Sequence, residues 1–163
     1  MLEAVQGGGG YQVTRDGNPV ANLSFQGAHE EGTIASALGT FAVRREHGRS
    51  GAWLLERHDG GPQPQLVAVA EQPSAMGSDF VIRTPDRPPL QFTRPSAWRP
   101  FFKLHDGGGQ QVGDIRRTRG LRLRMQADIG DHIPPPLQLF ALWTALLVLE
   151  RAENARAVAR RTR

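Results

Sequence analysis

The chain has 163 residues, with 20 basic and 16 acidic side chains and no cysteine. That length predicts one domain, able to bury a core without covalent staples. The missing cysteine excludes disulfides, thiolate metal ligands and cysteine nucleophiles, and it fits a reducing compartment.

The charge is unevenly placed. Residues 1–90 carry seven basic and ten acidic groups, whereas residues 91–163 carry thirteen basic and six acidic ones. Lys103 is the only lysine, so the excess is arginine. The guanidinium fork suits phosphate and carboxylate partners because it binds them bidentately. The plainer meaning of such an excess is a solvated surface.

Residues 1–10 hold an acid, Glu3, and the run Gly7-Gly8-Gly9-Gly10, without the basic and apolar regions of a secretion signal. Position 2 is not Gly, and no cysteine is present for prenylation. A flexible leader is expected here, and a cytoplasmic location.

From Tyr11 to about Asp128 short strands alternate with turn signals. Residues 11–15 precede Asp16-Gly17-Asn18. Residues 20–25 place Ala21, Leu23 and Phe25 on one face. Residues 33–46 form one long strand or two short ones, with Gly39 as a bulge or bend. Residues 53–58, 65–71, 80–84, 90–93, 101–105, 112–117 and 121–127 complete the series. Regular strands with Gly, Pro and Asp punctuation predict an all-β barrel or sandwich. His58-Asp59-Gly60-Gly61 recurs as His105-Asp106-Gly107-Gly108. The repeat is either a duplicated hairpin module or two ordinary Asp-Gly turns.

The pattern then changes. Pro134-Pro135-Pro136 precedes residues 137–149, in which only Gln138 and Thr144 are polar. Proline suits the first helical turn, where its missing N–H has no partner to lose. Gln138 and Thr144 are six positions apart, so they point about 120° apart and form no polar stripe. A helix apolar all round needs enclosure all round. Thirteen residues span about 20 Å, against about 30 Å of bilayer hydrocarbon. Three prolines bound the stretch on one side, and Glu150, Arg151, Glu153 and Arg156 bound it on the other. No transmembrane span is therefore expected. The enclosure has to be the barrel itself, with the helix filling its lumen. Beyond Glu150 the Ala/Arg-rich tail leaves as a polar helix or frays.

Trp53-Leu54-Leu55, Phe101-Phe102-Lys103-Leu104, Gln111-Val112-Gly113-Asp114-Ile115 and the apolar helix after three prolines resemble the tubby C-terminal-like superfamily. That group includes tubby domains, LURP-one-related proteins and phospholipid scramblases. The resemblance covers about residues 11–153. It implies a mainly β fold, a closed antiparallel barrel of about ten to twelve strands around a central hydrophobic C-terminal helix. That helix is placed at about 136–153, with 154–163 as a basic tail. The scramblases' cysteine cluster and acidic calcium segment are missing here. The single lysine does not align to the tubby phosphoinositide pocket. The resemblance therefore carries over the fold and no residue role.

The densest charge is Arg116-Arg117-Thr118-Arg119-Gly120-Leu121-Arg122-Leu123-Arg124. If residues 121–127 form a strand, Leu121, Leu123 and Met125 point inward and Arg122 and Arg124 outward. Arg116, Arg117 and Arg119 then sit at the adjoining turn. The group is a candidate anion-binding patch, worth about 1 kcal/mol per basic residue near an anionic surface. Solvated arginines paired with cross-strand acids are the alternative. No aromatic interrupts the patch, so stacking on single-stranded nucleic acid is not expected.

Catalysis has little support. The histidines 29, 47, 58, 105 and 132 are scattered, and no HExxH, Gly-x-Ser-x-Gly or phosphate loop is present. His58, His105, Asp59 and Asp106 would make a metal site only if the repeated turns faced each other. The Asp side chains more simply serve their own turns. The expectation is a non-enzymatic domain without cofactor or metal. Its expected partner is an anionic phospholipid head group or membrane surface, bound peripherally. The alternative is a protein-interaction or structural module, such as one for an acidic protein.

Overall fold

Apolar residues alternate with polar ones along twelve strands, and the antiparallel sheet they form closes on itself. The computed structural model describes residues 1–26, 30–46, 51–74 and 77–162. In chain order the strands are β1 (Leu2–Gly7), β2 (Gly10–Arg15), β3 (Asn18–Gln26), β4 (Glu31–Ser36), β5 (Gly39–Arg45) and β6 (Ala52–Arg57). They continue as β7 (Gln65–Glu71), β8 (Phe80–Thr84), β9 (Arg87–Thr93), β10 (Phe101–His105), β11 (Gln111–Thr118) and β12 (Arg124–Ile129). One helix, α1 (Pro135–Arg161), follows.

The flexible leader expected at residues 1–10 is corrected. β1 pairs with β2 on one side and with β12 on the other, and this second pairing closes the barrel. Leu2 and Ala4 face the core and are buried. The glycine run is turn chemistry: Gly8 and Gly9 have φ of 54° and 89°, as a two-residue hairpin turn requires. Residues 33–46 form two strands, with Gly39 at φ 123° opening the second. The last strand starts at Arg124 rather than at residue 121. Leu121 is fully exposed and Leu123 only half-buried.

Each strand pairs antiparallel with the next, so the turns alternate between two ends of the barrel. β12 finishes at what we call the lower mouth, together with the turns β2–β3, β4–β5, β6–β7, β8–β9 and β10–β11. The other turns lie at the upper mouth, through which α1 leaves.

α1 begins behind Pro134 (φ −56°, ψ 140°), with Pro135 and Pro136 in its first turn and no side-chain cap. Every residue from Leu137 to Leu149 is buried. The Trp143 ring stacks on Phe25 at 4.8 Å, and its indole N–H donates to the Ser24 carbonyl at 3.3 Å. Gly32 makes this contact possible, because a Cβ there would collide with that carbonyl and crowd the indole nitrogen. Across the lumen wall, Trp53, Phe80, Phe92 and Phe102 form a chain of ring contacts.

Both polar residues of the inner helix are satisfied, as burial demands. Gln138 donates to the Ile133 carbonyl (2.8 Å) and accepts from Arg15 (2.6 Å). Thr144 donates to the Phe140 carbonyl (2.8 Å). The helix runs beyond residue 153 to Arg161, so most of the tail is helical. Alanine and arginine are good helix formers, and Arg160 and Arg161 complement the dipole in the last turn. Among the described residues, no helix is long and apolar enough to cross a membrane.

Candidate functional site

The five candidate arginines gather on one sector of the upper rim, but they do not act alike. Arg116 and Arg117 lie near the end of β11, Arg119 and Arg122 in the loop to β12, and Arg124 at the first position of β12. Ile115 faces the core, so Arg117, two residues on, turns toward the lumen. There it donates to Glu153 of α1 at 3.3 Å. Arg124 turns outward and lies 3.6 Å from Glu3 on β1. One of these contacts lies between the helix and the wall, the other between the two strands that close the barrel. Arg116, Arg119 and Arg122 are exposed and have no ion-pair partner among the described residues. The expectation that Arg122 and Arg124 share one strand face is corrected, since Arg122 lies in a bend before the strand begins.

Arg122 reaches toward the β1–β2 turn, its guanidinium beside Gly7. It stands at the end of a cleft of about 490 Å³ on the outer wall. The glycine turn borders this cleft, and Gln12, Asn22, Ser24 and Thr33 line it with polar groups. The Ser24 and Thr33 hydroxyls are hydrogen-bonded to each other at 2.7 Å.

The helix exit is latched at three points. Arg151 donates to both carboxylate oxygens of Glu30 and, at 3.1 Å, to Gln72, while its guanidinium lies 4.9 Å from the Trp53 ring centre. Arg45 approaches the same carboxylate and the same ring. The hydrogen bond from Arg151 holds the Glu30 carboxyl below its ordinary pKa, against the opposing effect of burial. The Tyr11 hydroxyl donates to Glu150. Burial, and then that carboxylate, push the Tyr11 phenol well above its usual value. Arg117 and Glu153 make the third latch. These groups fill the centre of the mouth, which leaves the rim loops as its accessible part.

The aspartates of the two repeated turns are used differently. Asp106 accepts the backbone N–H groups of Gly108 and Gln110 at 2.9 Å, so it stabilises its own turn. Asp59 instead accepts from Arg57 at 2.7 Å. No group of three potential metal ligands exists among the described residues. His29 and His47 lie outside those residues.

Residues 94–100, which join β9 to β10, also belong to the rim. Of the two phenylalanines that follow, Phe102 is buried in the barrel, whereas Phe101 is half-buried. Trp98 is 94 % exposed. Its loop neighbours the Arg119–Leu123 loop, because the Arg117 N–H donates to the Pro100 carbonyl at 3.0 Å. The one signal in the sequence is the bracketing of Ser96-Ala97-Trp98-Arg99 by Pro95 and Pro100, which forbids a continuous strand. No protein-family model matches the chain, and no curated protein and no solved structure matches it.

Proposed function

We propose that the domain is a non-enzymatic, peripheral binding module for anionic phospholipid, and that its architecture is of the tubby-like kind. One observation carries the lipid reading. Arg116, Arg119 and Arg122 are exposed on a single rim sector, without acidic partners among the described residues. Unpaired cations near a surface gain about 1 kcal/mol each from anionic lipid, and salt weakens that gain. The cleft beside Arg122 offers hydroxyl and amide groups of Gln12, Asn22, Ser24 and Thr33 to phosphate oxygens.

Vesicle co-sedimentation tests this. The wild type is expected to bind phosphatidylcholine vesicles containing phosphatidylserine, and to bind pure phosphatidylcholine much less. Arg119→Glu/Arg122→Glu should lose at least about thirtyfold in affinity, following about 1 kcal/mol per cation removed. Equal binding to the two vesicle types, or no binding to either at low salt, rejects the proposal. An acidic protein captured through the same arginines without any lipid binding would replace it with the interaction-module reading.

A further inference from the structure

Trp98 and Leu121 are the two most exposed large apolar side chains, at 94 % and 109 % of full accessibility. Both stand on loops of the upper mouth, and the hydrogen bond from Arg117 to Pro100 makes those loops neighbours. Isolated apolar residues on a surface are ordinary. Two of the largest, on adjacent loop tips and ringed by arginine, are not. Residues 94–101 and 116–124 hold seven arginines and no acid.

The Trp98 loop is braced. Arg94 donates to the Ala97 carbonyl at 2.9 Å and to the Arg99 carbonyl at 3.4 Å, and its guanidinium lies 5.8 Å from the Phe102 ring. Ser96 accepts the Trp98 N–H, Arg99 accepts that of Phe101, and Asp79 accepts that of Arg94. The loop's polar groups are thus occupied from within, and the indole is held outward. The second tip is built alike: the Leu123 carbonyl is tied to the Gln6 N–H of β1 at 3.0 Å, while Leu121 projects. The outer part of α1 adds Arg156, Arg160 and Arg161, with no acid after Glu153. Arg117 of the rim and Arg156 of α1 both donate to Glu153 at 3.3 Å, which places the outer helix beside this rim.

We infer that Trp98 and Leu121 are insertion tips, which enter the boundary between head groups and acyl chains of an anionic bilayer while the surrounding arginines hold the phosphates. This rests on the lipid reading above and deepens it. An indole favours that boundary because its body is apolar and its N–H needs a polar partner. Arginine stems lie along apolar surface while the guanidinium stays in water. Charge alone leaves a protein on the head groups; buried apolar area adds binding that salt does not screen.

The test uses the full chain, phosphatidylcholine vesicles with and without phosphatidylserine, and the same vesicles with brominated acyl chains. Trp53 and Trp143 are buried, so Trp98 is isolated as the difference between wild-type emission and that of Trp98→Phe. On anionic vesicles this difference spectrum should shift to the blue and be quenched by bromine. Trp98→Ser/Leu121→Ser should bind about tenfold more weakly, the order expected for partial burial of two side chains. Its thermal transition should match the wild type, because neither residue packs in the core. If Arg119→Glu/Arg122→Glu loses binding while the serine variant binds normally and Trp98 is not quenched, insertion is overturned and the electrostatic reading stands. Quenching that is equal on neutral vesicles keeps insertion and removes the need for charge. Trp98 emission already blue without vesicles, lost together with a dimer on Trp98→Ser, overturns insertion in favour of a contact between two copies. No vesicle binding of any kind overturns both readings.

Discussion

Between Leu137 and Leu149, α1 carries no charge and buries every side chain; between Glu150 and Arg161 it carries six charges and buries none. The backbone is the same helix throughout, so hydrogen bonding within it does not separate the halves. Their surroundings do. The inner half is enclosed by strands whose apolar faces need a filling, and filling and wall stabilise each other through buried area. The outer half has only water and the rim beside it. A rim exposed in this way is free to carry an outward-held tryptophan and arginine without an acidic partner; the lumen would never tolerate such a charge. Stability therefore resides in the lumen, the recognition we propose belongs to the rim, and mutations should divide along the same line.

The strongest way to break this division is to open the wall. Deleting Leu2–Gly7 removes the pairing partner of both β12 and β2. It should abolish the cooperative unfolding transition in a urea titration, because two long edges and the lumen then meet water. A flexible leader would be removed without effect. Next comes the filling: Trp143→Ala should cost about 3–5 kcal/mol in denaturant unfolding, as large-to-small changes in a packed core do. The folded fraction should keep wild-type affinity for vesicles.

The latch where the two halves meet sharpens the comparison. Arg151→Ala should cost about 1–3 kcal/mol at neutral pH, since it removes both hydrogen bonds to the half-buried Glu30 carboxylate and leaves it only the longer contact with Arg45. Glu30 has a lowered folded-state pKa. Its contribution is present above the ordinary carboxylate range and is lost as pH falls through the lowered value. Removing Arg151 should therefore flatten the acid limb of the stability profile, measured as melting temperature against pH. The smallest effect on stability belongs to the rim: Arg119→Glu/Arg122→Glu should shift the unfolding free energy by no more than about 0.5 kcal/mol, as expected of exposed sites. A larger shift would mean that these arginines support the fold, which would undo the separation of roles.

Much of the strand order was legible because it is local. Residues 65–71, 80–84 and 101–105 announce themselves by alternation and by the turn residues beside them, and β7, β8 and β10 have those bounds. β1 was not legible. Leu2-Glu3-Ala4-Val5-Gln6-Gly7 is short and weakly apolar, and the glycine run after it suggests slack. Two strands distant in the chain make it a strand, and no local pattern reports them. The site divides the same way. Arginine density is visible in the sequence, but which arginines are engaged depends on Glu153 and Glu3, which approach from other elements.

By itself, then, the sequence determined that residues 137–149 must be surrounded, being apolar on every face and too short for a bilayer, and that strands would have to surround them. Tertiary structure alone decided that six N-terminal residues close the wall, that Arg116, Arg119 and Arg122 have no ion-pair partner among the described residues, and that Trp98 stands outside. The reason is one of range: periodicity and turn chemistry act between near neighbours, whereas closure, pairing and exposure depend on what the fold brings from far along the chain.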